Sequence, residues 1–211
     1  MKNILCYGDS NTFGSNPHGG RWERHERWTG ILQEKLGPDY YVIEEGLGGR
    51  TTVFTDPLEP CRNGLEALPY SLYTHRPIDL VIVMLGTNDT KVMYNATPRV
   101  IGKGMETILK TIRNHDFGIY RKPELLLISP ILIGEKIADV NFASFDETSH
   151  EKSLKIAPWA KEAAMNTGAY YLNAANYVGP SPIDQLHMEA EDHKRLAAAI
   201  ELKVKEIFKE I

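Results

Sequence analysis

The run Ile78-Asp79-Leu80-Val81-Ile82-Val83-Met84-Leu85 constrains this chain more than any other stretch. Apart from Asp79 it is apolar, and much of it is β-branched. A strand with one face in water alternates apolar and polar side chains, and this one does not. An unbroken apolar strand has to be covered on both faces, as a central strand of a parallel sheet is. Parallel neighbours cannot be joined by tight hairpins. They need crossovers, usually helical, so helices are expected on both sides of the sheet.

The remaining segments supply those parts. Ile4-Leu5-Cys6 reads as a first strand, Tyr40–Glu44 as a second, Glu124–Ser129 as a fourth and Tyr170-Tyr171-Leu172 as a fifth. Trp28–Gly37 reads as a helix with Trp28, Ile31, Leu32 and Leu36 on one face, stopped by Gly37 and Pro38. Another helix is expected near Gly64–Thr74. Thr97 caps a helix opened by Pro98, whose stripe is Ile101, Met105, Ile108 and Ile112. Thr148–Asn166 reads as a helix kinked, or started late, by Pro158. The last helix carries Leu196, Ile200, Val204, Ile207 and Ile211. Strand and helix thus alternate along residues 1–211, which predicts one α/β domain around a parallel sheet. The loop 15–27 is polar and reads as surface. The loop 131–147 carries Ile131, Leu132, Ile133, Phe142 and Phe145, too apolar for a free loop, and reads as a lid, a pocket wall or a subunit contact.

Charge and cysteine usage exclude several classes. The 24 basic and 28 acidic side chains give a net −4 without any basic run, so no nucleic acid partner is expected. Cys6 and Cys61 form no Cys-x-x-Cys pair, and His18, His25, His75, His115, His150 and His193 show no ligand spacing, so no metal is expected. The amino terminus enters the first strand without a signal-peptide pattern, and no segment is long enough to span a bilayer. A cytoplasmic protein with no membrane partner is the expectation.

Chemistry-bearing residues follow the strands. Ser10 comes after the first, Gly49 after the second, Asn88 after the third, and Asp184 with His187 after the fifth. In a parallel sheet all of them lie at one edge. Gly8 permits a tight turn, and Ser10 lands beside the first amides of a following helix. A serine hydroxyl is a poor nucleophile at neutral pH until a base takes its proton. His187 can be that base. Asp184, three residues earlier, can accept the Nδ1 proton and leave Nε2 to face Ser10. The backbone N–H groups of Ser10 and Gly49 and the side-chain amide of Asn88 are candidate donors to an oxyanion. Each residue alone has a plainer reading, as a helix cap, a turn residue or a flexible glycine. Their shared placement after strands favours acyl transfer. There is no Gly-x-Ser-x-Gly elbow, and Gly48-Gly49-Arg50 lacks the lysine of a phosphate loop.

Gly8-Asp9-Ser10, Gly49, Gly86-Thr87-Asn88-Asp89 and Asp184-x-x-His187 resemble, in order, the four signature blocks of the SGNH (GDSL-type) hydrolase superfamily. Glu44–Leu47, Arg50-Thr51-Thr52, Trp28-Thr29-Gly30 and Thr90-Lys91 are similar to a bacterial arylesterase/acyltransferase subgroup. The resemblance implies a flavodoxin-like three-layer sandwich with a five-stranded parallel sheet. It implies Ser10 as nucleophile, His187 as base, Asp184 as its partner, Ser10, Gly49 and Asn88 as the oxyanion hole, and neither metal nor organic cofactor. Asn11 stands where the family name has leucine. Asn11 and Leu186, which flanks the base, are read as substrate-binding. Phe13, Trp22 and Tyr94 are available as aromatic pocket surface, and Trp28 is assigned to the core. Met188-Glu189-Ala190 is a weaker helix cap than the Thr, Ser or Asn often found there, so packing has to hold His187. The subgroup further implies homo-oligomers that narrow the pocket entrance, favouring short acyl chains and letting alcohols compete with water. The expected function is a serine esterase on short-chain esters of aryl, alkyl or acetylated-carbohydrate type. A lysophospholipase or thioesterase would use the same machinery. An inactive acyl-ligand-binding protein would not need the whole set.

Overall fold

In the structure, a computed structural model describing residues 1–209, the five strands lie in the order β2-β1-β3-β4-β5 and every pairing is parallel. They are β1 (Lys2–Gly8), β2 (Tyr40–Gly46), β3 (Leu80–Met84), β4 (Glu124–Ser129) and β5 (Tyr170–Asn173). The unbroken apolar run becomes β3, and its two-residue period divides it between two cores. Leu80, Ile82 and Met84 pack with Trp28, Ile31, Leu32, Leu196, Ile200 and Val204, from α2 (Trp28–Leu36) and α7 (Ala190–Phe208). Val81 and Val83 face Leu68, Ile101, Met105, Ile108 and Ala160, from α3 (Gly64–Thr74), α4 (Pro98–Asn114) and α6 (Ile156–Thr167). The result is the three-layer α/β architecture expected from the alternation of strands and helices.

Some boundaries differ from expectation for identifiable reasons. The stretch read as one helix over Thr148–Asn166 is two, α5 (Glu147–Ser153) and α6. Asp146 starts α5 with a reciprocal capping box to Ser149. Pro158 is tolerated because it falls in the first turn of α6, where its missing N–H would have had no helical partner. The polar loop 15–27 stays largely irregular, with an isolated bridge between Ser15 and Arg21. Ile211, read as the end of the α7 stripe, lies outside the described residues. Among those residues, no helix is long and apolar enough to cross a membrane.

The strand order positions the site. From β1 the chain turns one way to β2 and then returns past β1 to β3. The connections leaving the carboxyl ends of β1 and β3 therefore diverge, and a crevice opens between them. The short helix α1 (Ser10–Phe13) starts at that crevice. Gly8 allows the approach. A Cβ there would lie 2.0 Å from Thr12 Oγ1 and 2.8 Å from the Met84 carbonyl oxygen. Gly8→Ala should accordingly destabilise the protein by about 2–3 kcal/mol. Urea unfolding measures this; a loss too small to detect would mean that α1 lifts away at no cost.

Candidate active site

Local capping fixes Ser10. The Asp9 side chain accepts from Asn11 N at 3.0 Å, and the Asp9 carbonyl accepts from Thr12 N and Phe13 N at 3.1 and 2.8 Å. The capping thus serves the later amides of α1 and leaves the Ser10 N–H as a first-turn donor. Ser10 borders a cavity of about 420 Å³. Gly49, Asn88, Leu186 and His187 border the same cavity, so four separate connections meet there.

His187 belongs to a loop tied by its own side chains. Its Nδ1 lies 2.5 Å from Asp184 Oδ2. Asp184 Oδ1 also accepts from Leu186 N at 3.0 Å and His187 N at 2.9 Å. Partial burial pushes the Asp184 carboxyl up, but the hydrogen bonds from the His187 ring and backbone outweigh it and hold the carboxyl below its usual range. An ionised Asp184 makes Nδ1 the protonated nitrogen and leaves Nε2 able to accept a proton. Phe142 stands edge-on to the imidazole, with ring centroids 6.1 Å apart.

The donor side is stitched together across the crevice. Gly49 sits at φ +77°, and a Cβ there would come within 2.8 Å of Glu59 Oε2. Asn88 Nδ2 donates one hydrogen to the Arg50 carbonyl at 3.1 Å, which aims the amide and leaves its second hydrogen for the cavity. Asp89 is fully buried and accepts from the Thr52 N–H at about 3.0 Å and from the Thr52 hydroxyl. Adjacent side chains after β3 therefore hold the loop that carries Gly49. Burial pushes Asp89 up to about 7 despite the Thr52 bonds, with the charge of buried Asp9 adding to the rise. Burial likewise lifts Asp9, to about 6.

Those shifts carry a sign. A carboxyl whose pKa is raised by folding favours the folded state most below its unfolded value, and the advantage is lost as pH rises through the folded value. Removing one such group should flatten the slope. The melting temperature of the wild type relative to Asp89→Asn is expected to fall from about pH 4 to about pH 7 and to level off above. Parallel melting curves across that window would contradict the shift.

Asn11, expected as a substrate contact, is placed behind the cavity lining. It is buried, it does not border the cavity, and both ends of its amide are engaged by backbone of the His187 loop. Leu186 does border the cavity. Of the aromatics, Phe13 borders it; Trp28 is fully buried in the core, Trp22 donates its indole N–H to the Met188 carbonyl, and Tyr94 stacks on Phe54.

The sequence model of the GDSL-like lipase/acylhydrolase family matches residues 6–196. The chain belongs to this family. The native aryl esterase of M. smegmatis is 34% identical, with a TM-score of 0.90 over 98% of this chain and 99% of that one. Est24, a carbohydrate acetylesterase from Sinorhizobium meliloti, is also 34% identical, with a TM-score of 0.90 over 98% of this chain and 100% of its own. The lipoprotein YqeF of Bacillus subtilis is 27% identical over 137 residues, 63% of this chain; the chain spans about half the length of that curated relative.

An acylhydrolase of this family acts on esters, and the cavity offers an ester two kinds of wall. Phe13, Leu47, Phe142, Phe145 and Leu186 form an apolar one. Phe145 and Leu186 also pack with Ile133 and Ile137, so the apolar loop 131–147 has its own small core and supplies pocket wall. The other wall holds Lys91, Glu59 and Arg62. The buried Lys91 ammonium lies 2.7 Å from Asp56 and 3.6 Å from Glu59. Sequence reasoning missed this acylhydrolase's charged wall. Lys91 lies two residues beyond the Gly86–Asp89 block, but nothing in the residue order announces an ion pair with Asp56.

Proposed function

We propose that this acylhydrolase is a serine esterase for short-chain carboxylic esters. Ser10 Oγ attacks the ester carbonyl while His187 Nε2 takes its proton. The carbonyl oxygen becomes an oxyanion held by the Ser10 and Gly49 N–H groups and the Asn88 amide. The intermediate collapses, the C–O bond to the alcohol breaks, and His187 returns the proton to that alcohol. Water then attacks the acyl-serine with the same base, releasing the acid and restoring Ser10. The observation that carries this reading is the 2.5 Å bond between His187 and Asp184 at the rim of a cavity also bordered by Ser10, Gly49 and Asn88.

The decisive test is a fluorophosphonate probe followed by peptide mass spectrometry. The adduct belongs on Ser10; an adduct elsewhere, or none, overturns the assignment. Asn88→Ala should lower kcat by about 100- to 1000-fold, the usual cost of one oxyanion donor. A change confined to KM would make Asn88 a plain substrate contact.

The substrate class draws support from the aryl esterase and the carbohydrate acetylesterase among the structural neighbours, and from a cavity with aromatic side chains close to the base. Aryl, alkyl and sugar acetates are the proposed substrates, with alcohols competing with water for the acyl-enzyme. A chain-length series separates this from a lysophospholipase, which would gain rate with long acyl chains. We further propose that the protein is a cytoplasmic homo-oligomer, which cell fractionation and light scattering check.

A further inference from the structure

The base has to be kept at a fixed separation from the nucleophile, yet the helix after it provides little grip. Glu189, the N-cap of α7, makes no side-chain capping bond. Its carboxylate instead accepts from Ser181 Oγ at 2.5 Å and meets His18 Nε2 at 3.2 Å. Within the loop, Asp184 holds the 186 and 187 amides, and Ser181 N donates to the His187 carbonyl at 2.7 Å. These bonds fix the loop's shape. The tie to the element carrying Ser10 comes from Asn11. Asn11 Nδ2 donates to the Leu186 carbonyl at 3.2 Å, and Asn11 Oδ1 accepts from Met188 N at 3.2 Å. Asn11, Leu186 and Met188 are all buried. Asn11 is itself anchored from behind. Its carbonyl accepts from the Trp28 indole at 3.1 Å, and the Trp28 N–H donates to the buried His193 Nδ1 at 3.2 Å.

We propose that Asn11 is a positioning residue that sets the separation of Ser10 and His187 by clamping the backbone on either side of the base. The inference rests on the reading of Ser10 as nucleophile and His187 as base. A carboxamide presents an NH₂ donor and an oxygen acceptor in one plane, which is what the carbonyl of 186 and the N–H of 188 require. Leucine matches the volume and supplies neither. Aspartate keeps the acceptor for Met188 and sets an oxygen against the Leu186 carbonyl.

The experiment measures kcat, KM and melting temperature for Asn11→Leu and Asn11→Asp on p-nitrophenyl acetate. Active sites are counted by fluorophosphonate labelling carried to completion. Asn11→Leu should lose about 100-fold in kcat per labelled site, the scale of a misplacement near 1 Å, with KM little changed. The rate of labelling should fall by the same factor, because attack on phosphorus uses the same base. Asn11→Asp should lie between Leu and wild type, and it decides the matter if the leucine variant does not fold. Lowered melting temperature with wild-type kcat per site would reduce Asn11 to a structural role and overturn the proposal. Raised KM with unchanged kcat would also overturn it, by making Asn11 a substrate contact. His187→Ala serves as the control: an active His187→Ala enzyme removes the base itself, independently of Asn11.

Discussion

Ser10→Ala should lose turnover of p-nitrophenyl acetate by about five to six orders of magnitude, with the melting temperature within about 2–4 °C of wild type. The two halves of this result have separate causes. Turnover collapses because water must replace an oriented hydroxyl, leaving only the oxyanion donors and binding. The fold survives because Asp9, not Ser10, caps α1 and the Ser10 side chain is not part of that capping. His187→Ala should match it within about tenfold, since nucleophile and base act as a unit and their losses do not add. The double variant should be no worse than either single one. A Ser10→Ala enzyme within tenfold of wild type would refute the nucleophile, whatever the fate of the other residues.

How much of this was readable beforehand depends on distance along the chain. The apolar run 80–85 calls for burial on both faces, and with the alternation of strands and helices this points to a parallel sheet, so the architecture followed from local patterning. A parallel sheet places every strand's carboxyl end at one edge. Ser10, Gly49, Asn88 and His187 reach one cavity for that reason. Asp184 and His187 are three residues apart, and one turn suffices to join them. Contacts made between remote segments were not readable. Asn11 meets Leu186 across 175 positions, and Lys91 meets Asp56 across 35. No periodicity encodes such pairs, so the contacts of Asn11 with the backbone of 186 and 188 cannot be read from its position beside Ser10. Within Thr148–Asn166, Pro158 marks an interruption in the sequence, but a separate first helix is not marked. That first helix, Glu147–Ser153, begins at the Asp146 capping box, and α6 begins at Ile156 with Pro158 in its first turn.

Asp184→Asn should cost about 10⁴-fold in kcat with KM little changed, and the reason is visible in the hydrogen bonds. Asp184 Oδ2 accepts from the His187 ring, while Oδ1 accepts from the Leu186 and His187 amides. An amide has only one oxygen to divide between these donors. Directed at the backbone, that oxygen leaves an NH₂ facing Nδ1, and the imidazole adopts the tautomer with its proton on Nε2. It can then no longer take the Ser10 proton. Directed at the ring, the amide sets its NH₂ against two backbone donors and loosens the loop. The first outcome loses rate while the backbone bonds of the loop persist, and the second weakens those bonds as well. The acid side of the stability profile gives an independent check. Folding holds the Asp184 carboxyl below its ordinary range, so its contribution is complete above the unfolded value of about 4 and disappears as pH falls through the folded one. Wild type and Asp184→Asn should therefore differ in melting temperature near neutrality and converge in acid. An Asp184→Asn enzyme with near wild-type kcat would show that the imidazole keeps its tautomer unaided, and Asp184 would then be a loop residue only.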